Sequence, residues 1–167
     1  MNELAKPAIS ATEADWTREE VRRGNWNPGR ALLKSIRDYH RARGQGARFR
    51  ARLAVLRHRF WSAVSGADIP LTCQLGGGLL IPHPNGIVIH PDAQIGPNCL
   101  LFQQVTIGDA NGGVPRLGGH VDVGAGARVI GPIEIGDHAR IGANAVVTSD
   151  VPAGVTVIGI PARPVES

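Results

Sequence analysis

One histidine of this sequence stands in a setting that suits acid–base chemistry. His83 lies in the stretch Pro82-His83-Pro84-Asn85-Gly86, where two prolines stiffen the backbone on either side of it. Histidine is the usual general base near neutral pH. Asp68 lies fifteen residues earlier, and a carboxylate at a suitable place can orient an imidazole ring. Such a pair suits the removal of a proton from a substrate hydroxyl, although a histidine in a turn can also be merely solvated.

The elements that must position this pair follow a repeat of six residues. Aliphatic residues recur in steps of six, with two extra residues around His83 and four between Asp109 and Arg116. A period of six indicates a hexapeptide β-helix, in which each step is one flat side of a coil and points its aliphatic residue inward. Twelve such steps, at three per coil, predict about four coils. The aliphatic positions are Leu75, Ile81, Ile89, Ile95, Leu101, Ile107, Leu117, Val123, Val129, Ile135, Ile141 and Val147.

Small residues recur at two fixed positions of the six-residue repeat. A glycine often follows the aliphatic residue, and we expect it at the corner of the coil with a positive φ. Four residues after the aliphatic position there is often another small or apolar side chain, and at Cys99 we expect it to face inward. The alternative, a Gly-rich β-sandwich, would show this period only by chance. The glycines are Gly76, Gly96, Gly108, Gly118, Gly124, Gly136 and Gly142, and the second set is Ala93, Cys99, Val105, Val121, Ala127, Ala139 and Ala145.

Composition and charge divide the 167 residues into unequal parts. Residues 1–67 contain fourteen Lys and Arg against six Asp and Glu, whereas residues 68–167 contain four against eight. We therefore predict a basic helical segment (1–66), a β-helix domain (67–150) and a closing tail (151–167). No apolar run is long enough to span a membrane, no apolar signal region begins the chain, and two cysteines show no metal spacing, so we expect a cytoplasmic protein.

The basic segment contains sequence patterns that are typical of helix starts and of apolar helix faces. Thr17-x-x-Glu20 resembles a capping box, which predicts a short helix over residues 15–23, and Asn27-Pro28 predicts the start of a second. A third, over residues 47–64, has an apolar stripe of Phe49, Leu53, Leu56, Phe60 and Val64. Its arginines are compatible with a solvated face, with packing on another subunit or on the open end of the coils, or with an anionic surface. Nucleic acid is not expected, because no binding motif is present.

Several short motifs keep a common spacing along the repeats: Asp68-Ile69, His83-x-x-Gly86-Ile87-Val88, Gln103-x-Val105-Thr106-Ile107-Gly108, Gly124-Ala125-Gly126-Ala127, Ile141-Gly142-Ala143 and Gly159-Ile160-Pro161-Ala162-Arg163. Over about residues 66–165 the sequence resembles the serine O-acetyltransferases of cysteine biosynthesis. The resemblance implies a left-handed parallel β-helix. It also implies homotrimers in which acetyl-CoA and a hydroxyl acceptor meet in clefts between subunits, and it leaves open whether two trimers pair into a hexamer.

The resemblance also assigns roles to residues, and it implies no metal. His83 matches the catalytic base and Asp68 its carboxylate partner. The positions along the CoA arm match Gly108, Ala125 and Ala143, and Arg163 matches a residue near the nucleotide end. Around the acceptor, the candidate substrate contacts are Pro82, Asn85, Asp92 and Arg116.

The sequence departs from this family where the acceptor should bind. The family's aspartate before the base is Pro82 here, and its Arg-His pair is replaced by Gly113 and Val114. The tail ends in Glu166-Ser167 and lacks the isoleucine that docks into cysteine synthase, so that partner is not expected. We predict an acetyl-CoA-dependent O-acetyltransferase acting on serine or a related hydroxy-amino acid. Short acetyltransferases of exopolysaccharide assembly, including those of colanic acid, are also similar, so a sugar hydroxyl is the alternative acceptor.

Two other classes of function compete with acetyl transfer. Some hexapeptide β-helices are zinc hydratases, and His83, His90, His120 and His138 are candidate ligands here. However, no close pair of histidines is expected to recur across coils. A non-catalytic assembly scaffold is the third class, and it would leave the pairing of His83 with Asp68 without a purpose.

Overall fold

The structure, a computed structural model, describes residues 9–21 and 24–165. A 3₁₀ helix at Trp16–Glu19 precedes two helices, α1 (Pro28–Gly44) and α2 (Arg48–Ser65). Thirteen short strands follow: β1 (Gln74–Leu75), β2 (Val88–Ile89), β3 (Gln94–Ile95), β4 (Leu100–Leu101), β5 (Thr106–Gly108), β6 (Arg116–Leu117), β7 (Asp122–Val123), β8 (Arg128–Ile130), β9 (Glu134–Ile135), β10 (Arg140–Ile141), β11 (Val146–Val147), β12 (Thr156–Ile158) and β13 (Arg163–Pro164).

These strands stack into three parallel sheets, which are the three sides of a prism. Side A contains β2, β5, β8 and β11, side B contains β1, β3, β6 and β9, and side C contains β4, β7, β10 and β12, with β13 antiparallel to β12. The chain visits the sides in the order A, B, C. We call the turns between them the AB, BC and CA corners. Isolated bridges from Asp68 to Val88 and from Leu80 to Leu100 begin the stack one coil before β2 and β4.

The predicted apolar column is confirmed. Eleven of the twelve aliphatic repeat positions are buried, and Leu75 is partly buried against the same core. The second set of small residues is also buried, with Ala93, Cys99 and Val105 each at 0% exposure. The stack has about five coils and not four, because it begins at Asp68 and continues after the beat ends. Val151 bridges Ile135, and β12 pairs with β10.

The expectation of positive φ at the glycines after the aliphatic positions is wrong. Positive φ occurs two residues later, and mostly at side chains that tolerate it, such as Asn98, His120 and Asn144. Except at Gly108, these glycines are required for a different reason, which is the close approach of the next coil. A Cβ on Gly96 would lie 2.4 Å from the carbonyl carbon and oxygen of Gly118. Stacking of coils, and not the corner dihedral, therefore selects glycine at this step.

Helix α1 covers the N-terminal end of the coils. Asn27 caps it by accepting a hydrogen bond from the N–H of Arg30 (2.9 Å), with Pro28 at the first turn, as predicted. Leu32, Leu33 and Ile36 are each at 0% exposure and belong to the same core as the aliphatic column. The burial of these three side chains places α1 against the open end, although α2 is the helix that directly precedes the first coil in the chain.

Helix α2 packs beside α1 through small residues, and its apolar stripe faces away. Ala51 and Ala54 are buried, whereas Phe49, Leu56 and Phe60 are 80%, 62% and 57% exposed. The prediction that this stripe packs on the open end of the coils is therefore wrong for the single chain. The helix ends at Ser65, one residue later than predicted, and Gly66 caps it in a left-handed conformation.

The segment from residue 9 to residue 21 lies along the BC corner. The buried Asn98 accepts a hydrogen bond from the N–H of Asp15 (2.8 Å) and donates to the carbonyls of Ser10 (2.8 Å) and Glu13 (2.7 Å). The cap of the short 3₁₀ helix is Asp15, which accepts from the N–H of Thr17, so the predicted capping box is not formed. The end of that predicted helix (22–23) and the tail Glu166-Ser167 lie outside the described residues. No helix in the described part of the chain has the length and apolarity needed to cross a bilayer.

Candidate active site

His83 lies on an insertion at the CA corner. The strands on side C are paired at Leu80 and Leu100, and those on side A at Val88 and Thr106, so this coil is two residues longer than the next. The extra residues precede a tight turn in which the N–H of Ile87 donates to the carbonyl of Pro84 (3.1 Å), with Gly86 at φ +73°. His83 is exposed. Its imidazole is thus held on a stiff turn at the surface, where it can reach a ligand.

A line of equivalent positions runs along this corner from coil to coil. The N–H of Gln104 donates to Asn85 (3.0 Å), that of Gly126 to Gln103 (2.9 Å), and that of Asn144 to Ala125 (2.8 Å). Asn85, Gln103, Ala125 and Ala143 therefore occupy the same place in four successive coils. The structure brings one predicted acceptor contact and two predicted CoA positions onto this line, which we call the corner ladder.

Two features of the corner ladder fit a bound polar ligand. The N–H groups of Ala125 and Ala143 have no acceptor among the described residues, and Ala143 is exposed. The Oε1 atom of Gln103 is buried and has no hydrogen-bond partner in the described part of the chain. A buried polar atom without a partner is costly, so a donor at this place would stabilise the site. Gln103 begins one of the motifs that resemble the serine O-acetyltransferases, but its position in the repeat did not indicate a site residue.

Asp68 lies on side A, one coil before β2. Its N–H donates to the carbonyl of Ile87 (2.8 Å), and its carbonyl accepts from the N–H of Ile89 (3.0 Å), so its direct neighbour is Val88. The carboxylate is exposed, as is His83. No hydrogen bond joins the two side chains in the structure as described, so their pairing stays a prediction.

The other predicted contacts lie at the opposite edge of side A or beyond it. Gly108 ends β5 at the AB corner, Asp92 lies in the same corner one coil earlier, and Arg116 begins β6 on side B. Asp92 and Arg116 are exposed. A single chain therefore does not bring these three residues to His83. Arg163 lies on β13, and the N–H of its neighbour Ala162 donates to Val146 (2.8 Å), near the far end of the corner ladder.

The four-residue insertion at the AB corner is a two-residue hairpin. Ala110 and Gly113 exchange two backbone hydrogen bonds of 3.1 Å, and Asn111 and Gly112 have φ values of 51° and 79°. These values define a type I′ turn, which the dipeptide Asn-Gly strongly favours. The analysis of the six-residue repeat did not use this dipeptide. A Cβ on Gly113 would lie 2.5 Å from Cβ of Pro132. A side chain at this position would therefore require the hairpin to move.

Two histidines meet at the BC corner, contrary to the expectation that no close pair recurs across coils. The Nδ1 atoms of His120 and His138 are 2.8 Å apart, and burial, the largest cause, lowers the pKa of His120. Among the described residues, no group of three or more His, Cys, Asp or Glu side chains is arranged to hold a metal ion. Both cysteines are buried free thiols, and burial raises the pKa of Cys73 to about 12 and that of Cys99 to about 11.

Comparisons with known proteins show what this chain resembles. The serine acetyltransferase of Mycobacterium tuberculosis is 40% identical over 123 residues, which are 71% of this chain and 52% of that protein. The structure of Neisseria gonorrhoeae serine acetyltransferase in complex with serine matches with a TM-score of 0.72 and 36% identity, over 84% of this chain and 58% of that one. A serine acetyltransferase in complex with CoA matches with a TM-score of 0.70 and 33% identity, over 84% and 58% of the two chains.

The chain is similar to the serine acetyltransferases in sequence and in structure. This confirms the resemblance given by the motifs, together with the fold class, a left-handed parallel β-helix with a short helical segment before it. The chain spans about half the length of the curated relatives it matches. No family model matches the sequence.

Proposed function

We propose that this protein is an acetyl-CoA-dependent O-acetyltransferase. The observation that carries the proposal is the exposed His83 on the two-residue insertion at the CA corner, in a chain 40% identical over 123 residues to a serine acetyltransferase. The similar structures include one with CoA and one with serine. A zinc hydratase and a scaffold have no comparable support from the described residues.

The reaction needs one base and one anion site. In our proposal His83 accepts the proton of the acceptor hydroxyl as its oxygen attacks the thioester carbonyl, and the carbonyl oxygen becomes an oxyanion. A backbone N–H group of the glycine-rich coil edge stabilises this oxyanion. Collapse of the tetrahedral intermediate expels the CoA thiolate, which receives the proton from His83. The Asp68 carboxylate orients the imidazole and stabilises its charged form.

The corner ladder offers a track for the CoA arm. Adjacent coils are about 4.8 Å apart, so Ala125 and Ala143 lie about 10 and 14 Å from the coil of Asn85. An extended arm whose thioester lies at His83 would pass their free N–H groups. It would then reach the end of the stack where Arg163 offers a positive charge for the nucleotide phosphates.

The active site that we propose is shared between subunits of a homotrimer. His83 and the corner ladder lie at one edge of side A, whereas Gly108 and Asp92 lie at the other. In a closed ring each subunit uses two different surfaces, so the AB corner of one chain can meet the CA corner of the next. Whether two trimers pair into a hexamer is a separate step of this assembly.

Mixing two inactive variants tests the shared site. His83→Ala removes the base, and Gly108→Phe fills the predicted CoA track while its Cβ meets Ile130 at an ordinary 3.4 Å. If both residues serve one site from different subunits, subunit exchange should restore activity at about a quarter of the sites. A mixture that stays inactive after proven exchange would place both residues in one subunit's site.

The acceptor is serine, a related hydroxy-amino acid or, as the alternative, a sugar. The test is release of the CoA thiol from acetyl-CoA with serine, homoserine, threonine and nucleotide sugars. Turnover with one of these would support acetyl transfer and identify the acceptor class. No thiol release with any hydroxyl acceptor would favour the scaffold.

A further inference from the structure

The uncovered face of α2 is an exposed apolar surface that the proposed reaction does not use. Phe49, Leu53, Leu56, Phe60 and Val64 form one stripe along the helix and are between 40% and 80% exposed. The opposite face of α2 carries the buried Ala51 and Ala54. The helix is thus held to the fold by one face and presents the other.

The charges around this stripe are positive, except for Asp38 of α1, whose carboxylate accepts a hydrogen bond from Arg57 (3.0 Å). Residues 39–65 contain seven arginines and no aspartate or glutamate. Successive residues of a helix turn by about 100°, so the arginines fall on both flanks of the stripe. Arg50 and Arg57 lie on one flank, and Arg48, Arg52 and Arg59 lie on the other. An apolar band between two rows of cations is the pattern of a helix that lies in a membrane interface.

A hollow beside the stripe extends the same pattern. It has a volume of about 350 Å³ and lies between α1 and α2, with Tyr39, Ala42 and Val55 among its apolar lining residues. Arg43 and Arg52 also line it. An apolar hollow with guanidinium groups at its wall can receive an acyl chain while the arginines contact the phosphate.

We propose that α2, with its stripe and flanking arginines, binds the surface of an anionic lipid bilayer. A second copy docking through the same face would bring five arginines of α2 against five others, which is electrostatically unfavourable. The acidic β-helix of a second copy fits less well, because its described outward strand positions carry isolated charges of both signs, such as Asp122, Arg128 and Glu134. A lipid surface satisfies the apolar stripe and the arginines together.

The test is cosedimentation of the full chain with two kinds of vesicle. One kind contains phosphatidylcholine alone, and the other also contains about 30% phosphatidylglycerol, an anionic lipid that attracts surface cations. We expect binding to the anionic vesicles that weakens with added salt. Arg50→Gln with Arg52→Gln should lower the partition coefficient about thirtyfold, since each cation is worth about fivefold. The matched control, Arg128→Gln with Arg140→Gln, removes two exposed arginines from the β-helix and should leave binding unchanged.

A second pair of variants tests the apolar stripe. Leu56→Ser with Phe60→Ser should abolish the binding that remains at high salt, without changing folding, because both side chains are exposed. Equal binding to both kinds of vesicle, or equal losses in the arginine pair and its control, would overturn the proposal. The proposal would also be overturned if the chain bound neither kind of vesicle and the Leu56→Ser, Phe60→Ser variant had a lower oligomeric mass than the unchanged chain. A second copy of the chain would then cover the stripe.

Discussion

Replacement of His83 by alanine separates catalysis from folding. A positioned general base is worth roughly 10²–10⁴ in rate, or about 2.7–5.5 kcal/mol of transition-state stabilisation. The imidazole is exposed and makes no hydrogen bond with a described residue, so its loss should change the free energy of unfolding by about 0.5 kcal/mol or less. We therefore expect kcat to fall by roughly 10²–10⁴ while the melting temperature stays almost constant.

The assay follows release of the CoA thiol with the best acceptor of the panel, in parallel with thermal unfolding. His40→Ala is the matched control, because it removes an exposed imidazole from α1, away from the corners of the coils. The fall in kcat/KM at acidic pH that a histidine base causes should also disappear in the His83 variant. Added imidazole should restore part of the rate, since an exposed position leaves room for it.

Near-normal kcat in a folded His83→Ala protein would refute the assignment of the base. A large fall in kcat together with a large fall in melting temperature would refute the structural premise, namely that this side chain does not support the fold. A similar loss in His40→Ala would show that the assay responds to something other than the base.

The remaining predictions concern the partner of the base, the acceptor, the helices and the thiols. Asp68→Asn should lower kcat less than His83→Ala, and a folded Asp68 variant that is the more impaired of the two would reverse their roles. The resemblance implies two charge-assisted contacts to serine that Pro82, Gly113 and Val114 cannot make. Their loss, at about 1.5–3 kcal/mol each, should raise the KM for serine well above about 1 mM. A sub-millimolar KM would contradict this, unless Arg116→Ala abolishes serine turnover and so shows that the charge has moved. A chain starting at Gly66 lacks the cover of α1 and should aggregate, whereas well-behaved trimers by size-exclusion chromatography would count against that role. Both thiols, with pKa values of about 12 and about 11, should resist a disulfide reagent at pH 8 until urea unfolds the chain; fast labelling of the native protein would contradict their burial.

The acceptor prediction has a structural side as well. The resemblance led us to expect a charged acceptor contact at the position of Gly113, and a Cβ at this position would lie 2.5 Å from Cβ of Pro132. Restoring that charge by Gly113→Arg would therefore displace the hairpin. A test of serine recognition is better made at Arg116, whose exposed side chain can be changed without such a clash.

The repeat itself was readable from the sequence because its cause is local. Every six-residue step must bury one aliphatic side chain whatever its neighbours do, so the inward positions from Ile81 to Val147 followed from the period alone. The caps of α1 were equally local, since Asn27 and Pro28 act within one helical turn. His83 could also be proposed as the base from local sequence, because an insertion in the six-residue repeat indicates where the chain leaves the packed prism.

Other properties required the tertiary structure, because they depend on residues of different coils or helices. Two amphipathic helices were readable, but only their packing shows that Leu32 and Ile36 of α1 cover the coils while Phe49 of α2 stays exposed. The glycines looked like corner residues, yet the backbone of the neighbouring coil is what excludes a side chain at Gly96. Which predicted site residues share an edge depends on how many residues each coil contains. A hexapeptide pattern determines which side chains point inward, whereas only stacking determines which outward side chains meet.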